Sequence, residues 1–302
     1  MFTFADVFAG IGGFRLAAEQ LGGTCIFTSE IKKNAIKVYS HNFGKVEPID
    51  ISRVDLKNCE KPDFVFAGWP CQSFSQAGRG LGFHDATRGT LFFHLINYLA
   101  ETKAPYILLE NVRGLIKHDN GKTLKIVLDN LADLDYTLDY KVLKASDYGL
   151  PQFRPRIYIV GFKGEGQFEW PKKRGLLMTM SHVLKGECDR DVGFTLREGG
   201  YGSPIDDRHN WDGYWVNKKE HRLMFEEAKM MQGFPLTFTL PESVSEGIGI
   251  KLLGNAVAVD VVRSVIRQLL FMRERQIGKK EARKTKRNKK AVEASQKNSY
   301  NR

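Results

Sequence analysis

The residues best suited to chemistry stand where apolar runs end. Cys71 lies in Gly68-Trp69-Pro70-Cys71-Gln72-Ser73-Phe74-Ser75, directly after the run FVFAG. A lone cysteine is ordinarily a small buried apolar residue, but the carboxyl end of a strand is where open α/β sheets bind ligands. There a thiol can be activated as a nucleophile by a lowered pKa, and Pro70 stiffens the turn before it. Glu110 ends a second run, ILLENV. A carboxyl at that depth is costly unless partnered, and burial raises its pKa. Gln152, Arg154 and Arg156 alternate in PQFRPRIYIV, which reads as a strand. Residues two apart point to one face, so both guanidiniums are expected to face the site.

A second group suits a nucleoside. Gly10, Gly12 and Gly13 follow the run FADVF and precede a helical stretch. Glycines there permit positive φ and let a ligand approach the backbone. The turn is not G-x-G-x-x-G, which favours a nucleoside over a dinucleotide. Glu30 ends the next strand, where an acid can accept from both ribose hydroxyls. Asp50 follows the apolar Ile49 and is placed to reach an adenine amino group.

The elements that must position these groups alternate. FADVF, TCIFTSE, PDFVFAG, PYILLENV, YTLDYKVLKA and RIYIVGF read as strands; residues 14–21, 34–42, 90–101 and 123–134 read as helices. Strands nearly continuous in apolar residues, alternating with helices, imply an α/β fold with a mostly parallel sheet covered on both faces. From about residue 169 the pattern breaks. Residues 186–215 show no sustained period, though Tyr201, Trp211, Tyr214 and Trp215 argue against disorder. A helix is expected over 219–232 and a longer one over 254–272, followed by a disordered or frayed tail.

Bulk properties set limits. The chain has 302 residues, 42% hydrophobic and 27% charged, an ordinary globular mix. No apolar run is long enough to span a bilayer and no basic stretch precedes an apolar one at the start, so a soluble intracellular protein without signal peptide is expected. Four cysteines without C-x-x-C pairs or zinc spacing argue against disulfides and metal. The net charge of +11 is uneven: residues 271–302 hold 12 Lys/Arg against 3 Asp/Glu, and the other 270 residues hold 34 against 32. The tail alone could suggest a polyanion binder, so global charge says little about the body. The tail either adds salt-sensitive affinity for such a polyanion or only solubilises the chain.

FAGIGGFRLA and the Pro-Cys-Gln-x-Phe-Ser string resemble the cofactor and catalytic blocks of the DNA cytosine-5 methyltransferases of bacterial restriction-modification systems. Gln152-x-Arg154-x-Arg156, HRLMFEEAKMMQGFP and LLGNAVAVDVV resemble later blocks, in the family's order, over residues 3 to about 270. The resemblance implies a Rossmann-like methyltransferase domain over 1–168, completed by 217–272, a small irregular target-recognition region over 169–216, and an extra basic tail over 273–302. It implies S-adenosylmethionine held by Phe8, Gly10, Gly12, Glu30, Asp50, Pro70, Asn255 and Ala256. Ile31 stands where the family often has an aromatic.

In that family the thiolate, here Cys71, adds to carbon 6 of a cytosine rotated out of duplex DNA. Aromaticity is lost and carbon 5 becomes nucleophilic enough to attack a sulfonium methyl. A protonated Glu110 is expected to donate to cytosine N3. One of Arg154 and Arg156 is expected to contact the base or stabilise the attack, the other to organise the loop or a phosphate. QAGRGLGFHDATRGT resembles the family's mobile catalytic loop, with Ser75, Arg79 and Arg88 as DNA contacts. Thr195-Leu196 resembles a recurring recognition dipeptide. Gln152, Thr195, Arg197 and Arg208, with His209 and Asn210, are further candidates for DNA contact. A monomer acting on double-stranded DNA in the bacterial cytoplasm, away from membranes, is expected; the sequence leaves open whether a restriction endonuclease of the same specificity accompanies it or it works alone. The resemblance leaves room for a tRNA cytosine-5 methyltransferase, although that branch's Cys-Phe-Thr segment is absent, and for a catalytically silent DNA-binding module.

Overall fold

The structure is a computed structural model and describes residues 1–70 and 91–300. Its centre is a six-stranded sheet in the order β2-β1-β3-β4-β7-β5. Strands β1 (Phe2–Val7), β2 (Gly23–Ser29), β3 (Phe64–Ala67) and β4 (Tyr106–Val112) are parallel, with α1 (Gly13–Glu19), α2 (Lys33–Phe43) and α3 (Leu91–Thr102) between them. After α4 (Lys122–Ala132) come β5 (Thr137–Lys144), the short β6 (Tyr148–Gly149) and β7 (Pro155–Phe162). Strand β7 inserts antiparallel between β4 and β5. The strand order reverses at β1, which pairs with β2 on one side and β3 on the other. Such a reversal opens a crevice beyond the carboxyl ends of the strands.

The apolar strands are continuous because both faces are covered. Phe64 and Phe66 join the core under α1, whereas Val65 and Ala67 join the core under α3 and α4. Helix α3 buries Phe92, Leu95, Tyr98, Leu99 and Thr102, one stripe at helical spacing. Strand β5, at the edge, is largely exposed and carries Lys141 and Lys144, a common guard against edge pairing.

Beyond β7 the chain forms β8 (Gly175–Leu176), α5 (Met180–Val183), the hairpin β9 (Gly213–Val216) and β10 (Lys219–Arg222), then α6 (Phe225–Gln232), α7 (Glu246–Asn255) and α8 (Val259–Tyr300). Trp211 and Tyr214 are fully buried in the irregular stretch. The helix expected from Lys219 therefore begins only at Phe225. Asn217 (φ 49°) and Lys218 (φ 63°) are both left-handed, the geometry of a two-residue hairpin turn. The tail also differs from expectation: α8 runs unbroken from the core to Tyr300. After Gly278 it has no helix breaker and is rich in Lys, Arg, Glu and Ala, all good helix formers. Among the described residues no helix is long and apolar enough to cross a membrane.

Candidate active site

The crevice at the β1/β3 reversal gathers most of the residues singled out from the sequence. After β1 the backbone enters a strained turn. Phe8 has φ 59°, Gly10 57° and Gly12 86°, and a non-glycine residue at positive φ is often found at functional sites. A Cβ at Gly12 would meet the Phe43 ring at 2.3 Å, whereas one at Gly10 would meet none of the described residues within 4 Å. Gly12 is thus required for packing, and Gly10 faces open space where a ligand can lie.

Glu30 fastens this turn. Its Oε2 accepts from Gly10 N at 2.8 Å, and its Oε1 accepts from Ile31 N and Lys32 N, each at 2.8 Å. An antiparallel bridge from Glu30 to Ile49 brings Asp50 alongside. Asp50 Oδ1 accepts from Ser52 N at 2.9 Å and Ser52 Oγ at 2.7 Å, and these bonds hold its pKa below the usual carboxylate range. The open Gly10 edge, two partly accessible acids and the strained Phe8 fit a bound nucleoside. Asp6, at the base of the turn, is fully buried, and neither carboxyl oxygen has a hydrogen-bond partner among the described residues. Burial pushes its pKa well up, against the pull of Arg15. An acid inside the run FADVF was the signal for it, and it was not singled out.

The second half of the crevice lies at the ends of β3 and β4. Asn111 Nδ2 donates to Trp69 O at 3.0 Å, clamping the turn that leads to Cys71. A Cβ on Gly68 would lie 3.5 Å from Glu110 Oε2, so the Glu110 carboxyl rests against the end of β3. Glu110 is opposite Tyr158, and Val112 is opposite Arg156. Arg156 is therefore the diagonal neighbour of Glu110, within reach of a long side chain. Its Nε lies 3.2 Å from Glu110 Oε1, and both side chains are largely buried. Burial raises the Glu110 pKa; Arg156 and then Arg154 pull it back, with a net upward shift. Cys71, Ser75, Arg79 and Arg88 lie outside the described residues.

Two expectations need correction. Gln152 is fully buried and has no group free for DNA. Its Nε2 donates to Met231 O at 3.1 Å and Gln232 Oε1 at 2.6 Å, and its Oε1 accepts from Leu196 N at 3.1 Å. Arg154, the residue before β7, is close enough to Glu110 and Arg156 for their charges to act on it, but its Nη groups are already engaged by backbone carbonyls. Arg154 is 3% exposed. Its Nη1 donates to Leu196 O at 3.0 Å, and its Nη2 to Gly254 O at 3.0 Å and Ala256 O at 2.7 Å. It ties three chain segments together, while its buried Nε has no hydrogen-bond partner among the described residues. Ala256 O also accepts from Gln232 Nε2, and Asn255 Nδ2 donates to Glu198 Oε2 at 2.9 Å. These residues approach the glycine turn through Val257, whose Cγ2 lies 2.8 Å from where a Cβ on Gly13 would be.

The family model described as C-5 cytosine-specific DNA methylase matches residues 2–189 and 205–270. The chain belongs to that family. This methylase is 37% identical to the type II methyltransferase M.DsaV of Dactylococcopsis salina, over 88% of this chain and 85% of that protein. It is 34% identical to M.HhaI of Haemophilus parahaemolyticus, over 87% and 92% of the two chains. Its fold is similar to that of a Spodoptera frugiperda DNMT2 mutant (TM-score 0.71, 20% identity, 89% and 100% covered). It is also similar to a putative DNA modification methyltransferase encoded within an E. coli prophage (TM-score 0.66, 20% identity, 89% and 99% covered). The methylase is accordingly a DNA cytosine-5 methyltransferase.

Next to the Glu110–Arg156 pair the methylase has a cavity of about 690 Å³, whose walls include Val112, Arg113, Phe153, Arg156, Arg190 and Arg197. Thr195 also lines it, and its hydroxyl donates to Phe153 O. Arg208 is exposed but does not line this cavity. Asn210 is buried, with Nδ2 on Ile205 O and Gly213 O, each at 3.0 Å, and so shapes its own loop. Arg113 and Arg190 were not singled out from the sequence. Arg113 follows directly on ENV, which was the available signal, but Arg190 sits in an aperiodic stretch and had none. Arg190 stacks on the Phe194 ring, 4.1 Å from its centroid. Phe153 and Val112 are 50% and 41% exposed, an apolar surface among arginines that suits a base with its phosphates.

Proposed function

We propose that the methylase takes its methyl group from S-adenosylmethionine and reacts through a covalent bond between Cys71 and carbon 6 of a cytosine flipped out of double-stranded DNA. The observation that carries this reading is the buried Glu110–Arg156 pair beside Gly68, three residues before Cys71. S-adenosylmethionine supplies an electrophilic methyl on a sulfonium when bound. On the protein side, the Gly10 edge, Phe8, Glu30 and Asp50 would hold the nucleoside. Pro70 and the backbone of 255–257 would border the reacting end.

The roles of the remaining residues follow from charge. Glu110, with its pKa raised by burial, holds a proton more readily than a surface acid and donates it toward cytosine N3. That withdraws electrons from the ring as the Cys71 thiolate adds, and once carbon 5 carries the methyl, loss of the carbon 5 proton to a base expels the thiolate and restores the aromatic ring. Arg156 fixes the Glu110 carboxyl and faces the same cavity, where it can also contact the base. Arg154 and Gln152 act as positioning residues. Arg113, Arg190 and Arg197 line the cavity for DNA, and Thr195 is placed by Phe153 O to approach a phosphate.

The recognition region extends from about residue 169 through the β9–β10 hairpin, and residues 1–168 with 223–272 form the catalytic body. The enzyme acts as a monomer on DNA in the bacterial cytoplasm, either paired with a restriction endonuclease of matching specificity or alone. The test is a duplex carrying 5-fluorocytosine at the target, located beforehand by bisulfite sequencing of DNA from expressing cells. With S-adenosylmethionine present, an adduct should map to Cys71 and be absent from Cys71→Ala. An adduct elsewhere, or none at the correct site, defeats the mechanism.

A further inference from the structure

We propose that the carboxyl-terminal part of α8 is a second DNA-binding surface, one that engages a duplex segment other than the segment in the catalytic cavity. The helix is fastened to the edge of the sheet opposite the site. Arg273 Nη2 pairs at 3.2 Å with Oδ1 of Asp63, the residue before β3. Tyr106, the first residue of β4, donates to Gln276 Oε1 at 2.5 Å. Gln276 Nε2 donates to Glu165 O at 2.9 Å, just past the end of the antiparallel β7. These groups mark the amino-terminal ends of the parallel strands. Trp69, Glu110 and Arg156 lie toward the other ends, about 13–20 Å away at ~3.3 Å per strand residue.

From this anchor the helix continues to Tyr300, a rod of roughly 35 Å at 1.5 Å per residue. Residues 279–290 comprise Lys279, Lys280, Arg283, Lys284, Lys286, Arg287, Lys289 and Lys290 with one acid, Glu281. No apolar stripe runs through this segment: positions 277, 281, 285, 288 and 292, one line at helical spacing, hold Ile, Glu, Thr, Asn and Val. Such a helix offers little to a protein groove or a membrane interior. It matches a uniform polyanion, and duplex DNA carries one phosphate per ~1.7 Å of axis. DNA is already the substrate of this enzyme. A duplex only long enough to fill the catalytic cavity does not extend to the opposite edge. The rod therefore meets another stretch of the same DNA or a second molecule, holding the enzyme near DNA while the cleft searches.

The test uses the full chain and its variant K279Q/K280Q/R283Q/K284Q/K286Q/R287Q/K289Q/K290Q, with far-UV circular dichroism to check that helix content is kept. Each protein is trapped on a short 5-fluorocytosine duplex, and a second labelled duplex without a target site is titrated in at several salt concentrations. The trapped wild type should bind it, and the variant at least tenfold more weakly, with the slope of log affinity against log salt smaller by roughly 3 or more. Equal binding by the two proteins, or none by the trapped wild type, overturns the proposal. Failure to form the adduct counts against the covalent mechanism instead. In that case the same titration on the free proteins decides, and equal affinity for site-free duplex again overturns the second surface.

Discussion

Substituting Arg154 by Met separates a positioning role from a chemical one. In the structure this guanidinium donates through Nη1 and Nη2 to Leu196 O, Gly254 O and Ala256 O, while its buried Nε has no partner among the described residues, and burial together with the charge of Arg156 holds its pKa below the usual arginine range. Met keeps the length of the side chain but donates nothing. Ala256 O would keep Gln232 as partner, so two buried carbonyls lose theirs, at about 1–3 kcal/mol each. Removing a buried charge and its repulsion with Arg156 offsets part of that cost. We expect a net loss of about 2–4 kcal/mol of folding stability, within the range for breaking buried polar networks. Urea unfolding followed by circular dichroism measures it. Where the variant is folded, single-turnover methyl transfer should fall by less than about tenfold, because no reacting group has been removed. The reasoning fails if Arg154→Met unfolds like the wild type yet loses methyl transfer by ~100-fold or more. That outcome would place Arg154 on the substrate, as the sequence alone suggested.

Three further outcomes are expected. Glu110→Gln should lower single-turnover methylation by roughly 100-fold or more while short-duplex binding stays within a fewfold; retention of wild-type turnover would remove the acid from the mechanism. Asp6 has a folded-state pKa raised by burial, so the native state holds more protons than the unfolded one, and stability should fall as pH rises from about 4, the unfolded value, through the folded pKa. Asp6→Asn should flatten that fall in unfolding free energy between pH 4 and 7 at fixed ionic strength, and an identical slope in both proteins contradicts the assignment. Gly12→Ala must accept both φ 86° and a Cβ overlapping the Phe43 ring, so it should cost at least about 1–3 kcal/mol and weaken S-adenosylmethionine binding in calorimetry more than binding of DNA.

The sheet and the position of its catalytic edge were legible because the central strands β1, β3 and β4 are buried on both sides and lead into polar or glycine-rich segments. Glu110 and the Gly10 turn illustrate this. Alternation brought the arginine pair to one place but could not show that the Arg154 Nη groups are taken up by backbone carbonyls from residues 196, 254 and 256, which are distant in sequence. Residues 219–222 were misread because KKEHRLMFEEAKMMQ is composed of helix formers throughout, while the evidence for a hairpin lay in the backbone of Asn217 and Lys218. Arg190 could not have been found by pattern, since its place at the cavity depends on how an aperiodic loop packs on Tyr214 and Phe194.

Strand β7 enters the sheet against the direction of its neighbours, so the guanidinium that meets Glu110 comes from the start of a strand and the carboxylate from the end of one. Their meeting is set by ladder alignment and not by the length of chain between them. Changes of length in the turns on either side of α4 can therefore accumulate without disturbing the pair, provided α4 and β5 keep their packing and β4 and β7 stay in step. A slip of a single residue in that ladder would turn Arg156 to the opposite side of the sheet and silence the enzyme with every residue still present.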